Sequence, residues 1–345
     1  MRAAQVVTPT GPLDVEIREV PDPVPGPGDV LIEVHSVGVS FPDLLLSKGQ
    51  YQLKPEPPFT LGVDVAGVVV GFETVASATS STSGGAGATS STSGATFAPG
   101  DRVVGVVPYG GACELAVVPA VSTFALPDTL SFDEGAALPL NYLTAQFALK
   151  QRGDLKPGET VLVHGAAGGV GTATLQVAKG YGARTIAVVS TQEKAEVARK
   201  AGADEVVLLG GFKDAVLALT EGRGVDVVLD VVGGDVFTDS LRSLAPLGRL
   251  LVVGFAAGQG IPEVKVNRLL LNNIDVCGVG WGGYAMVRPG YMQEQWADLV
   301  PMIESGVVKP PIGATYAFEE LGQALADLDA RRALGKSVVR VKVDR

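Results

Sequence analysis

VLVHGAAGGVGTATLQVAK, residues 161–179, decides the fold. Val161, Leu162 and Val163 read as a strand buried on both faces. A run of small residues follows, and the apolar spacing then turns helical until Gly180 and Gly182 close the helix. A strand, the pattern A-x-G-x-x-G (Ala166, Gly168, Gly171) and a helix together make a dinucleotide-binding turn. Ala166 or its neighbour makes the bend, Gly168 and Gly169 let a pyrophosphate approach the backbone, and Gly171 lets helix pack on strand. Unpaired N–H groups at the helix start, with Val170 in the first turn, would face the phosphates with a partial positive charge. No Gly-Lys-Ser/Thr follows, which excludes a P-loop.

Working outward, strands and helices alternate downstream. TIAVVS (185–190), EVVLL (205–209), VDVVLDVVGG (225–234) and RLLVVGF (249–255) read as strands. TQEKAEVARKAG (191–202), FKDAVLALTEGRG (212–224) and SLRSLAPLG (240–248) read as the helices between them. Near-continuous Val/Leu strands joined by helices predict a doubly wound parallel sheet covered on both faces. The end of the second strand selects the cofactor. NAD sites place a carboxylate there for the ribose 2′-hydroxyl. Here stand Ser190 and Thr191, with Lys194 close behind. Hydroxyls and a cation suit a 2′-phosphate, which predicts NADPH.

Upstream the chain is β-rich: DVLIEVHSVGVS, DVAGVVVGF, DRVVGVV and CELAVVP are separated by Pro and Gly. A short helix is expected over Asp43–Gly49. Helical spacing sets in at SFDEGAALPLNYLTAQFAL (131–149), where Ser131 and Glu134 form a capping-box pattern. The tail is mixed, with a helix in FEELGQALADLDARRA and a last strand in SVVRVKV. Residues 1–126 and 265–345 are therefore expected to form one β-rich domain, and 127–264 a dinucleotide-binding domain. Between Glu73 and Asp101 there is no charged residue, and ATSSTSG occurs twice, at 78–84 and 88–94. Two polar copies are too few for a solenoid, so 76–97 reads as a flexible low-complexity insertion.

With 345 residues and 46% hydrophobic composition, the chain has room for about two domains with sizeable cores. A net charge of -10 argues against nucleic-acid and anionic-membrane partners. Two distant cysteines, Cys113 and Cys277, offer no disulfide framework. The N-terminal stretch lacks an apolar core, so no signal peptide is expected, and VDVAGVVVGF is far too short to span a bilayer. The expected location is cytoplasmic.

GETVLVHGAAGGVGTATLQVAK also resembles the signature of the quinone oxidoreductase and zeta-crystallin branch of the medium-chain dehydrogenase/reductases. GVSFPDLLLSKGQY, FTLGVDVAGVV, APGDRVVG, ALPLNYLTA and GKSVVRV lie where that family has counterparts. The resemblance covers nearly the whole chain apart from the insertion. It implies a GroES-like β-rich catalytic domain, a Rossmann domain, active sites in a cleft, and a homodimer. Zinc-dependent alcohol dehydrogenases of the superfamily carry Cys, His and an acidic residue at the catalytic metal. Here Ser40 stands for the Cys, Gly62-Val63-Asp64 for Gly-His-Glu, and Leu140 for the late Cys. No metal site is expected, because two His (His35, His164) and two Cys at these spacings do not make a tetrahedral N/S set.

Without a metal to polarise it, the acceptor is expected to be activated by its own conjugation, as in quinones and α,β-unsaturated carbonyls. NADPH supplies the hydride; the protein orients it and stabilises the oxyanion. The candidate donors are Tyr51 and Ser40. Gly49-Gln50-Tyr51 matches the place of a Tyr in the related enoyl-thioester reductases, while Leu45 replaces another Tyr of some quinone reductases. Asp43 and Asp64 read as structural. Further cofactor contacts are expected from Asn141, Thr144, Val232, Gly233, Gly254, Phe255 and Ala256, with Trp281 walling the nicotinamide pocket. The alternatives are reduction of enoyl thioesters or alkenals with Tyr51 as proton donor, and a non-catalytic NADPH-binding role.

Overall fold

The computed structural model describes residues 1–72 and 97–342. The insertion expected at 76–97 lies, except for Phe97, outside the described residues. The chain forms two compact units: Met1–Ala136 with Tyr316–Ala330 and Val339–Arg345, and Ala137–Thr315 with Arg331–Val338.

The first unit is β-rich. Its elements are β1 (Arg2–Val6), β2 (Val15–Glu19), β3 (Asp29–Gly38), α1 (Phe41–Ser47), β4 (Phe59–Thr60), β5 (Asp64–Phe72), β6 (Arg102–Val106), β7 (Leu115–Pro119), β8 (Thr123–Ala125) and α2 (Phe132–Ala136). β1 pairs antiparallel with β2 and β4. β5 lies between β3 and β6, while β7 pairs with β3 and β8 with β6, all antiparallel. β3 shows how sequence sets the layers. Val30, Ile32 and Val34 alternate into the core, and Glu33 and His35 point the other way. Leu44 and Leu46 of α1 join the same core. The expected capping box is present: Ser131 and Glu134 exchange side-chain and backbone bonds at the start of α2.

The second unit begins with α3 (Pro139–Gln146), which widens into a π-type turn through Arg152. Then come β9 (Thr160–His164), α4 (Gly169–Gly180), β10 (Arg184–Val189), α5 (Gln192–Lys200), β11 (Glu205–Leu208), α6 (Phe212–Leu219), β12 (Val225–Asp230), α7 (Val236–Arg242), β13 (Leu244–Val252), α8 (Asn267–Asn272), β14 (Asp275–Gly278), α9 (Trp281–Ala285) and α10 (Tyr291–Glu304). The strand order is β11-β10-β9-β12-β13-β14, parallel throughout among the described residues. This is the 3-2-1-4-5-6 order of a doubly wound sheet, with the reversal between β9 and β12. Every residue of β9 and of β12 is buried, as strands covered on both faces require. α11 (Leu321–Asp329) returns to the first unit, where Leu321 and Leu325 enter the core. Residues of the last strand, Lys336–Arg340, follow it, and Val341 N–H bonds the His35 carbonyl at 2.9 Å.

Two expectations need correction. SLRSLAPLG is not one helix: α7 ends at Arg242 and Leu244 starts β13. Pro246 lacks the N–H that helix continuation needs, and β13 takes up the irregular stretch as a register shift against β12. The domain boundaries also differ. Residues 265–315 belong to the parallel-sheet unit, because β14 extends that sheet beside β13. Residues 127–136 belong to the β-rich unit, where Asp133 of α2 accepts from Ser36 and Arg340.

Candidate functional site

The glycine-rich turn leaves β9 at Gly165, whose φ of 62° is open to glycine at little cost. Gly168 N–H closes the turn onto the Gly165 carbonyl at 2.9 Å, and Ala166 is fully buried beneath it. α4 then starts with Gly168 as N-cap, and no side chain caps it. Its first N–H groups therefore end in the partial positive charge that suits a phosphate. A Cβ on Gly171 would lie 2.2 Å from the Gly165 carbonyl oxygen, so α4 presses directly on the turn. Gly169 is expected to admit the pyrophosphate, yet a Cβ there would meet Asn141 Nδ2 at 2.6 Å. The space beside Gly169 is taken by the Asn141 amide, brought from α3. Gly168 is the more open of the two: a Cβ there would have as its nearest neighbour the Gly165 oxygen, 3.4 Å away. Asn141 and Thr144 are buried one helical turn apart on α3, and Val170 is half-buried.

At the end of β10, Ser190 and Thr191 are exposed. Thr191 Oγ1 accepts the Lys194 N–H at 3.2 Å and so caps α5. The Lys194 ammonium donates to the Arg331 carbonyl at 3.2 Å. Arg331, with φ 59°, donates its guanidinium to the Ala257 carbonyl. Gly335 N–H bonds the Ala167 carbonyl at 2.8 Å. Residues 331–335 thus touch the loops after β9 and β13 and the first turn of α5. Sequence reasoning missed this segment, because it lies far along the chain from Lys194 and has no local pattern.

Beyond the reversal point, the loops after β12 and β13 are joined by backbone. Ala256 N–H bonds the Val231 carbonyl at 3.0 Å and Ala257 N–H the Val232 carbonyl at 2.8 Å. This brings Val232, Gly233, Gly254, Phe255 and Ala256 together, with Phe255 exposed. Asp230, also missed, ends β12; an acidic residue closing an apolar strand was the available signal. Trp281 is buried and donates its indole N–H to Gln295 Oε1 at 2.8 Å. Gln295 in turn donates to the Leu143 carbonyl and to Gln146, so this tryptophan is locked between α3 and α10. His164 is buried, with Nε2 2.8 Å from Ser240 Oγ and its ring edge-on to Phe212. Burial pushes its pKa down to about 4, so the imidazole is neutral at physiological pH.

Ser40 and Tyr51 lie in the first unit. Ser40 is the N-cap position of α1, and its hydroxyl donates to Asp64 Oδ2 at 2.8 Å, both residues being buried. Asp43 Oδ1 accepts the Gly62 N–H at 2.8 Å, which fits the structural role expected of it. Tyr51 is half-buried against the core, and burial, then the Asp43 charge, raise its phenol pKa. It is therefore protonated at neutral pH and can donate.

The positions that hold zinc in the metal-dependent branch are occupied differently here. Ser40 and Asp64 bond each other, and Val63 beside Asp64 is apolar and buried. His35 stacks on Phe132 with ring centroids 4.2 Å apart. Among the described residues no group of three or more His, Cys, Asp and Glu side chains is arranged to hold a metal ion. A serine hydroxyl, an apolar Val side chain and a carboxylate thus stand where the zinc-dependent branch has Cys, His and Glu.

Two family models match the chain: the alcohol dehydrogenase GroES-like domain over residues 26–128, and the zinc-binding dehydrogenase domain over 169–305. Quinone oxidoreductase-like protein 2 of Rattus norvegicus is 37% identical over 330 residues, covering 94% of this chain and 89% of its own. A probable oxidoreductase from Mycobacterium abscessus is 39% identical with a TM-score of 0.85, over 99% of each chain. The quinone oxidoreductase of Thermus thermophilus, solved alone and with NADPH, is 33% identical with a TM-score of 0.80, over 99% of this chain and 100% of that one. With this sheet order, this turn and these matches, the chain belongs to the quinone oxidoreductase family of the medium-chain dehydrogenase/reductases.

Proposed function

We propose that the chain is an NADPH-dependent oxidoreductase that passes hydride to a quinone. The observation that carries the reading is the uncapped start of α4 at Gly168, beside a second strand that ends in hydroxyls and a lysine. The pyrophosphate would sit on the α4 N–H groups, with Asn141 and Thr144 supporting the turn from α3. The 2′-phosphate would be met by Ser190, the Lys194 ammonium and the Arg331 segment. When bound, NADPH supplies the hydride. Val232, Gly233 and Gly254–Ala256 would support the nicotinamide half.

A quinone spreads the incoming charge over its own conjugated oxygens, so the protein's part is to orient it and to donate to the developing oxyanion. Tyr51 suits that part better than Ser40. The Tyr51 phenol stays protonated, whereas the Ser40 hydrogen is turned to Asp64. The same feature keeps reduction of an enoyl thioester or alkenal as the second reading, with Tyr51 giving the proton. A homodimer is part of the proposal. β14 is an edge strand of the sheet, and α8 beside it exposes Leu270 and Leu271 at 77% and 73%. An open edge with apolar neighbours is a template for a second copy. No helix of the described residues is long and apolar enough to cross a membrane.

The test is acceptor-dependent loss of NADPH absorbance with EDTA-treated protein, comparing benzoquinone, a crotonyl thioester and an alkenal. Turnover of benzoquinone supports the reading. Turnover of the thioester alone moves it to the second reading, and cofactor binding without turnover leaves a non-catalytic role.

A further inference from the structure

The order of the sheet reverses between β9 and β12, and doubly wound sheets hold dinucleotides in the crevice outside the carboxyl ends at that point. The turn after β9 takes the pyrophosphate and the end of β10 the adenine-side ribose. The nicotinamide half is left to the ends of β12 and β13.

Asp230 is the last residue of β12 and is buried. Its Oδ1 accepts the N–H groups of Val232 at 2.7 Å and Gly233 at 2.9 Å. Its carbonyl accepts those of Val253 at 2.8 Å and Gly254 at 3.4 Å. The side chain therefore fastens the turn after β12, while the main-chain carbonyl continues the β12–β13 ladder into the loop after β13. The turn has no slack. Gly233 has φ 64°, and a Cβ on it would lie 2.9 Å from the Phe255 ring. On its other side, a Cβ on Gly165 would lie 2.8 Å from Val231 Cγ2, so the turn also abuts the phosphate-binding bend. Asp230 Oδ2, by contrast, is buried with no hydrogen-bond partner among the described residues. An unpaired buried oxygen costs stability. Burial also raises the carboxyl's pKa, against the pull of the two N–H groups. A residue kept at that cost points to a role beyond stability.

We infer that Asp230 is a positioning residue for the nicotinamide half of the cofactor, its Oδ1 holding the Val232–Gly233 turn, against which Phe255 of the loop after β13 packs. The inference rests on the NADPH reading above. The role belongs to the acceptor Oδ1 and not to the charge. Asp230→Asn keeps an acceptor in place and exchanges one unpaired atom for another. Asp230→Ala removes the acceptor and leaves two N–H groups without it.

The experiment is calorimetric titration of wild-type, Asp230→Ala and Asp230→Asn protein with NADPH and with 2′,5′-ADP, which lacks the nicotinamide half. Asp230→Ala should weaken NADPH about tenfold, the scale of one lost hydrogen-bond set, and change 2′,5′-ADP by less than about twofold. Asp230→Asn should stay within about threefold of wild type for both ligands. Equal losses for both ligands, an Asn variant as weak as the Ala variant, or no loss in the Ala variant would each overturn it. Should Asp230→Ala not fold, Asp230→Ser takes its place, its shorter hydroxyl unable to serve both N–H groups, and the same split is expected. A wild-type chain that binds neither ligand overturns the NADPH reading itself, a result distinct from the other outcomes.

Discussion

At the scale of single residues, the proposed cofactor preference rests on Lys194. Its ammonium already bonds a carbonyl, so its position is fixed before any phosphate arrives. Lys194→Ala removes a charge-assisted bond of about 1.5–3 kcal/mol, so KM for NADPH should rise roughly tenfold or more while KM for NADH stays put. Steady-state kinetics with both cofactors check this. Tyr51→Phe deletes the proposed oxyanion donor and should lower kcat with benzoquinone by about tenfold or more; single-turnover rates measure it with binding removed from the comparison. His164 gives a stability prediction. Burial depresses its folded pKa to about 4 from the ordinary 6.5, so it is neutral when folded and takes a proton on unfolding. Stability is unaffected above pH 6.5 and falls as pH drops from there towards 4, by about 3 kcal/mol in total. Denaturant melts across that window should show the fall, and His164→Gln should flatten it. Gly171 stands out in the sequence because a motif surrounds it, and Lys194 only by its place just after the second strand. Arg331 does not, because its partners lie on segments that only the folded sheet brings together, whereas Asp230 carries the local signal of an acidic residue closing an apolar strand.

At the scale of elements, the turn between β9 and α4 depends on closeness. A methyl at residue 171 would lie 2.2 Å from a carbonyl oxygen, a distance that backbone cannot yield cheaply. Gly171→Ala should therefore push α4 from the turn, costing about 1–3 kcal/mol in unfolding free energy and most of the NADPH affinity. Chemical denaturation and cofactor titration on the same sample separate the two effects. The alternation of strands and helices is readable because buried parallel strands are almost purely apolar and their connecting helices are not. Residues 243–248 mislead, since Leu, Ala and Ser resemble a helix there while Leu244 already pairs with β12 and Pro246 cannot continue the helix. Helical spacing over so few residues does not outweigh a neighbouring strand's hydrogen bonds.

At the scale of the whole molecule, the division of the chain is legible in kind but not in extent. The β-rich character of the first hundred residues and the return of the C-terminus are plain. The place of residues 265–315 is not, because β14 is a short strand of Asp, Val, Cys and Gly with no pattern that names its partner. Its edge position leads to the assembly prediction. Leu270→Asp with Leu271→Asp should convert a dimer to a monomer in light scattering while leaving NADPH binding intact, since neither residue belongs to the proposed cofactor site. The most direct measurement of the central claim is NADPH consumption by EDTA-treated protein on addition of benzoquinone, set against NADH. Rapid acceptor-dependent oxidation of NADPH with slow oxidation of NADH is the predicted result. Equal use of the two would contradict the phosphate-site reading of Ser190 and Lys194, and no oxidation of either would contradict the proposed reaction.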